Sequence, residues 1–124
     1  MKEKEIKEVI ISKENFAIIK ARKPVKNAFA NIIDNNEVTV ILPQNKIKKK
    51  NIINIDKDYK LLTFNMVLDF NLVGFIARIS KALASENIPI FVISAYSTDH
   101  VLIKKKYLGK AIKQLKKLGF KVGK

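Results

Sequence analysis

The chain has 124 residues, 48% of them hydrophobic and 29% charged, enough to bury a core in one domain or two small ones. It has no cysteine, which excludes disulfides, thiol catalysis and thiolate metal sites, and no apolar run of the roughly 18–20 residues needed to span a bilayer. The net charge of +14 admits nucleic acid, an anionic membrane or acidic ligands as partners, yet it is carried almost wholly by lysine in a sequence also rich in Ile and Asn, with Arg22 and Arg78 the only arginines.

The first residues, MKEKEIKEVIISKENF, lack the apolar core of a secretory signal, so a cytoplasmic protein with no membrane partner is expected. EIKEVIIS (5–12) and NFAIIKAR (15–22) alternate as two short strands with a turn at Lys13–Glu14, and Pro24 stops the second. AFANII (28–33) and EVTVILP (37–43) are two more strands, separated by the turn signal DNN (34–36). Val38, Val40 and Leu42 share one face. PQNKIKKK (43–50) reads as a polar connection with room for one helical turn, and NIINIDKDY (51–59) as a loop or an edge strand.

KLLTFNMVLDF (60–70) alternates Leu62, Phe64, Met66, Leu68 and Phe70 against Leu61, Thr63, Asn65, Val67 and Asp69, the pattern of a half-buried strand. Asn71 suits a helix N-cap, and Leu72, Ile76, Ile79 and Leu83 recur at helical spacing, so a helix is expected from Asn71 to about Glu86. IPIFVISAY (88–96) is a strand apolar on both faces, STD a turn, and HVLIKK (100–105) the next strand. A helix over 106–118 places Leu108, Ala111, Ile112, Leu115 and Leu118 on one side, with Gly119 past its end and FKV (120–122) returning as a strand.

The order over 60–122 is therefore β-α-β-β-α-β, a ferredoxin-like α+β unit of antiparallel strands with its helices on one face. The first half supplies strands without a first helix, since only KPVKN separates two of them. The letters alone leave open whether it is a degenerate, β-rich copy of the same unit. The expected division is 1–59 and 60–124.

The stretch from LDFNLVGFIARIS to STDHVLIKKKYLGKAIKQLKKLGF resembles the ACT domain, and more narrowly small stand-alone proteins with two ACT-like units. Asp69, Phe70, Gly74, Ala77, Ile88, Ile90, Phe91, Ile93, Ser94, Tyr96, Thr98, Asp99, Leu102 and Ile103 match the second unit's pattern; Glu37, Val38, Thr39, Val40 and Pro43 match the first's. The chain departs from that pattern at Asp34, where threonine is expected, at Asn71, where serine or threonine is common, and at His100, where tyrosine or phenylalanine is usual. The resemblance implies a regulatory or sensor protein without catalysis or cofactor, binding an amino acid or similar small carboxylate at an interface between ACT units, as a homodimer.

Two segments would carry that ligand. Residue by residue, the resemblance points to Asp69, Asn71, Leu72, Val73, Gly74, Phe75 and Ile76 at the strand–helix junction. A helix N-terminus presents free N–H groups and a partial positive charge suited to a carboxylate. On position alone, Gly74 either lets its helix pack closely on the sheet or leaves room for a ligand, and Asp69 either caps the helix or meets an ammonium. The second segment is Ser94, Ala95, Tyr96, Ser97, Thr98 and Asp99, whose hydroxyls and carboxylate form either a polar ligand wall or a plain turn.

Other chemistries have less support. His100 is the only histidine and has no cysteine or clustered acids for a metal. No Gly-rich phosphate loop or nucleophile motif is present. A basic nucleic-acid-binding module is the alternative suggested by KIKKK (46–50), KKK (104–106) and the last helix. An RNA-binding sheet of this topology would need stacking aromatics, and HVLIKKK supplies none. A dimerisation domain without ligand is the third reading.

Overall fold

The alternations and stripes of the sequence become regular elements in the computed structural model of the chain, which describes residues 7–65 and 74–123. They are β1 (Glu8–Ile11), β2 (Phe16–Ala21), β3 (Ala30–Ile33), β4 (Val38–Pro43), β5 (Ile52–Asn65), α1 (Phe75–Ala84), β6 (Phe91–Ser94), β7 (Asp99–Lys104), α2 (Leu108–Lys117) and β8 (Lys121–Gly123). Short 3-10 turns precede β5, at Gln44–Lys46, and α2, at Lys105–Tyr107. The described residues form two compact units, 14–59 and 60–123, and the second also takes in 7–13.

The larger unit runs β5-α1-β6-β7-α2-β8, the ferredoxin-like α+β order, with its strands in the order β6-β7-β5-β1-β8. The difference from expectation lies in β1, which the sequence reading grouped with the first half. It pairs antiparallel with β5 (Val9 opposite Phe64, Ile11 opposite Leu62) and parallel with β8 (Val9 opposite Val122). A strand brought in from the N-terminus thus lies between β5 and β8, and its pairing with β8 is parallel. Polar contacts fasten the exit of β1. Ser12 N–H donates to the Leu61 carbonyl at 2.9 Å, Ser12 Oγ accepts from Leu61 N–H at 3.0 Å, and Lys60 Nζ donates to the Lys13 carbonyl at 2.9 Å.

Both helices cover one face of this sheet. Phe75, Ile79 and Leu83 of α1 and Ala111 and Leu115 of α2 bury against Val9, Ile11, Leu62, Phe64, Val101 and Ile103. The rings of Phe64, Phe75 and Phe120 meet edge to face, with Phe64 5.4 Å from each of the others. Such ring pairs add about 0.5–1.5 kcal/mol beyond their buried area. α1 ends at Ala84, two residues before the expected Glu86. Asn87 takes a left-handed conformation (φ 57°), which lets Ile88 N–H reach back to the Leu83 carbonyl at 3.1 Å. Gly119 (φ 95°) closes α2 in the same way, with Phe120 N–H donating to the Leu115 carbonyl. The reversal at Gly119 brings Phe120 into the core, whereas Leu118, expected on the apolar side of the helix, is exposed.

The smaller unit is an antiparallel sheet in the order β3-β4-β2-β5, using the first half of β5. NIINIDKDY is therefore a strand, lying at an edge beside β2 with Ile18 opposite Asp56. With the inserted β1 left out, the order matches β6-β7-β5-β8 of the other unit. Where that unit has α1 and α2, this one has only residues 22–29 and 44–51. The face bearing Ala17, Ile19, Ala21, Val38, Val40 and Leu42 forms one core cluster, and Phe16 and Ile41 of the same unit are buried as well. The DNN signal is a turn held by Asp34, whose Oδ1 accepts from Asn36 and Glu37 N–H, both at 2.9 Å.

Candidate ligand site at one end of the larger sheet

Gly74 stands at the N-cap of α1 with φ 81° and ψ 12°. The helix expected from Asn71 thus opens at Phe75, because Gly74, the residue best able to adopt a left-handed conformation, sets its entry. A Cβ placed on Gly74 meets no atom within 4 Å, so the glycine serves backbone conformation and not close packing. The Arg78 N–H donates to the Gly74 carbonyl at 3.0 Å and closes the first turn. α1 has no acidic residue in that turn and no side-chain cap among the described residues. Its leading N–H groups are therefore the ones a helix leaves without internal acceptors, at the positive end of its dipole.

Of the expected junction residues, Asp69, Asn71, Leu72 and Val73 lie outside the described residues. Phe75 is buried, its ring packed against Phe64 and Phe120, and Ile76 is half-buried against the same core. Both side chains are committed to packing, so any part they take in binding is through their backbone.

The second segment is the loop of the β6–β7 hairpin. Ser94 pairs with Asp99, and Ala95 N–H donates to the Thr98 carbonyl at 2.9 Å. Ser94, Ala95, Tyr96 and Ser97 are exposed, with Tyr96 at 86%, while Thr98 and Asp99 are half-buried. The expected strand 88–96 is shortened to Phe91–Ser94, and Asp99 belongs to β7 instead of the turn.

Two contacts bring these segments to one end of the sheet. Phe64, next to last in β5, touches the first residue of α1 on the helix-covered face. Thr63 lies on the other face, where its Oγ1 is 2.9 Å from His100 Nδ1, one residue into β7. Burial holds the His100 imidazole below its ordinary pKa, against an opposing pull from the Asp99 carboxylate. Sequence reading weighed His100 only as a metal or catalytic group and missed Thr63. The signal was the ferredoxin-like order itself, which makes the strands carrying them neighbours. Among the described residues no group of three or more His, Asp or Glu is placed to hold a metal, and no helix is long and apolar enough to cross a membrane.

Comparison with known proteins follows the same line. A family model described as ACT domain matches residues 54–117. A structural-genomics protein from Agrobacterium tumefaciens superposes with a TM-score of 0.81 at 18% identity, over 94% of this chain and 92% of that one. A Vibrio cholerae protein of unknown function, described as a possible transport protein, gives 0.76 at 18% identity, over 90% and 88%. The regulatory subunit of aspartate kinase from Thermus thermophilus gives 0.63 at 10% identity, over 88% and 95%. At these identities the likeness is one of fold. No curated protein matches the sequence.

Proposed function

Because the chain belongs to the ACT domain family, we propose that it is a non-catalytic regulatory protein that binds an amino acid or a similar small carboxylate, as a homodimer. The observation that carries the reading is the start of α1. A left-handed Gly74 leads into helix N–H groups that no acidic side chain of the first turn neutralises, at the end of the sheet that also bears the Ser94–Asp99 loop. The ligand carboxylate sits on those N–H groups. The ligand's ammonium and side chain meet the hydroxyls and carboxylate of Ser94–Asp99 from a second copy. The likeness to aspartate kinase regulatory subunits supports this reading at the level of fold.

Thermal-shift and calorimetric screening of the full chain against the twenty amino acids tests it. The expected result is stabilisation by one amino acid or a few related ones, lost in Gly74→Ala and Asp99→Ala. No response at millimolar concentration, or one that both variants keep, overturns it. Light scattering with and without the responding amino acid reports the dimer.

A further inference from the structure

We propose that the smaller unit holds a second site, for an anion with an apolar body: a carboxylate or phosphate ester carrying a hydrocarbon chain or ring. The two segments that replace helices, 22–29 and 44–51, set Val25, Ala28 and Ile47 against the buried face of their sheet without filling the space that helices would. They leave a cavity of about 720 Å³, lined only by residues of this unit. That volume lies in the range of roughly 300–1,000 Å³ typical of small-molecule sites.

The chemistry of the lining selects the ligand. Ile19, Leu42 and Ile52 of the sheet and Val25 and Ile47 of the two segments make it apolar. Lys26, Lys46, Lys48 and Lys50 also line it, and no carboxylate does. Lysine stems can cover apolar surface while their ammonium groups converge on a charge. A free amino acid fits poorly, because its ammonium would meet four like charges and no acid. A nucleic-acid strand fits poorly too, because no aromatic ring lines the cavity for a base to stack on.

The walls are pinned in place. Asn31 holds the first segment by a reciprocal pair: its Oδ1 accepts from Val25 N–H and its Nδ2 donates to the Val25 carbonyl, both at 2.9 Å. Gln44 holds the second, its N–H donating to the Asn15 carbonyl at 2.9 Å and its Oε1 accepting from Asp58 N–H at 2.5 Å. The cavity is therefore part of the fold.

The test uses the full chain and 8-anilinonaphthalene-1-sulfonate, an aromatic body with one fixed anion, read by fluorescence in a protein without tryptophan. Saturable binding is expected, displaced by dodecanoate and not by dodecyltrimethylammonium. The Lys46→Glu/Lys48→Glu variant should weaken dodecanoate by about tenfold or more. Lys113→Glu/Lys117→Glu on α2, an equal change of charge at residues that do not line the cavity, should leave it within about twofold. Methyl NMR of the unaltered protein gives a reading that no variant's folding affects, with dodecanoate shifting Ile19, Val25, Leu42, Ile47 and Ile52. Absence of saturable binding, equal displacement by the cationic amphiphile, equal losses in the two variants, or methyl shifts confined to other residues would each overturn the site. So would binding to phosphatidylglycerol vesicles without binding of monomeric dodecanoate.

Discussion

Thr63 and His100 join β5 to β7 through a 2.9 Å contact between Oγ1 and Nδ1 on the helix-free face of the larger sheet. The pair lies beside the Ser94–Asp99 loop, and two consecutive residues of β5 divide the work there. Phe64 anchors the start of α1 on one face, while Thr63 fixes the start of β7 on the other. The position that is usually tyrosine or phenylalanine in the family pattern is thus a half-buried imidazole in this chain.

Burial lowers the pKa of that imidazole from its ordinary 6.5, with Asp99 opposing. Above 6.5 the ring is neutral whether the chain is folded or unfolded, and it adds no pH dependence. As pH falls through 6.5, the unfolded chain takes up a proton that the folded one resists, so stability declines until the folded ring is protonated as well. Thermal midpoints measured downward from pH 7.5 should fall more steeply for the unaltered protein than for His100→Gln. Parallel curves would show that the folded environment leaves the ring's protonation unchanged.

Gly74 permits a separate test, because conformation and space can be told apart there. Its φ of 81° disfavours a side chain, while nothing occupies the place of a Cβ. Gly74→Ala should cost about 1–2 kcal/mol in urea denaturation, the usual penalty of a left-handed L-residue. Gly74→Asn should cost less, since asparagine tolerates that region. A neutral alanine variant, or asparagine worse than alanine, would show that the left-handed entry does not set the cost.

The larger unit was legible in the sequence because its signals are local. Period-2 alternation gave β5 and β7, 3.6-residue stripes gave α1 and α2, and Gly119 marked a helix end. What was missed depends on distant partners. EIKEVIIS reads as a strand, but nothing in its letters says that it will lie between residues 62–65 and 121–123. NIINIDKDY stayed ambiguous because β2 supplies its pairing, with two register shifts that break simple alternation. At the junction, Asn71 is a good capping residue by type but lies outside the described residues, and the left-handed Gly74 stands at the N-cap of α1. The candidate site is legible only in part. Its loop at Ser94–Asp99 follows from strand–turn–strand patterning, whereas Thr63 enters only through the pairing of β5 with β7.

The inserted strand makes a prediction that a strand belonging to the smaller unit would not. Val9 is fully buried in the core of the larger unit, while Ile10 next to it points to the other face and is 38% exposed. Val9→Ala should cost about 2 kcal/mol through lost burial and a residual cavity. Ile10→Ala should stay within about 0.5–1 kcal/mol. Amide exchange identifies the unit that loosens, and in Val9→Ala the amides of β8 should exchange faster while those of β3 are unchanged. Faster exchange in β3 with β8 unaffected would put β1 in the smaller unit.

Tyr59 closes the smaller unit's part of β5 with a titration of opposite sign to that of His100. Burial is the largest cause, followed by the hydrogen bond its hydroxyl donates to Asp56 Oδ2 at 2.5 Å and by the charge of that carboxylate; together they push the phenol up to about 12. Below the ordinary value of 10.0 the phenol is neutral in both states, and the contribution of its environment to stability is complete. Between 10.0 and about 12 the unfolded chain ionises first, and that contribution is lost as pH rises through the window. Ultraviolet phenolate titration, taken as the difference between the unaltered protein and Tyr59→Phe, should therefore show a late component for Tyr59. In Asp56→Asn that component should move part of the way back towards 10.0, since burial remains after the charge is gone. A late component indifferent to Asp56→Asn would assign the whole effect to burial and remove the carboxylate from the account.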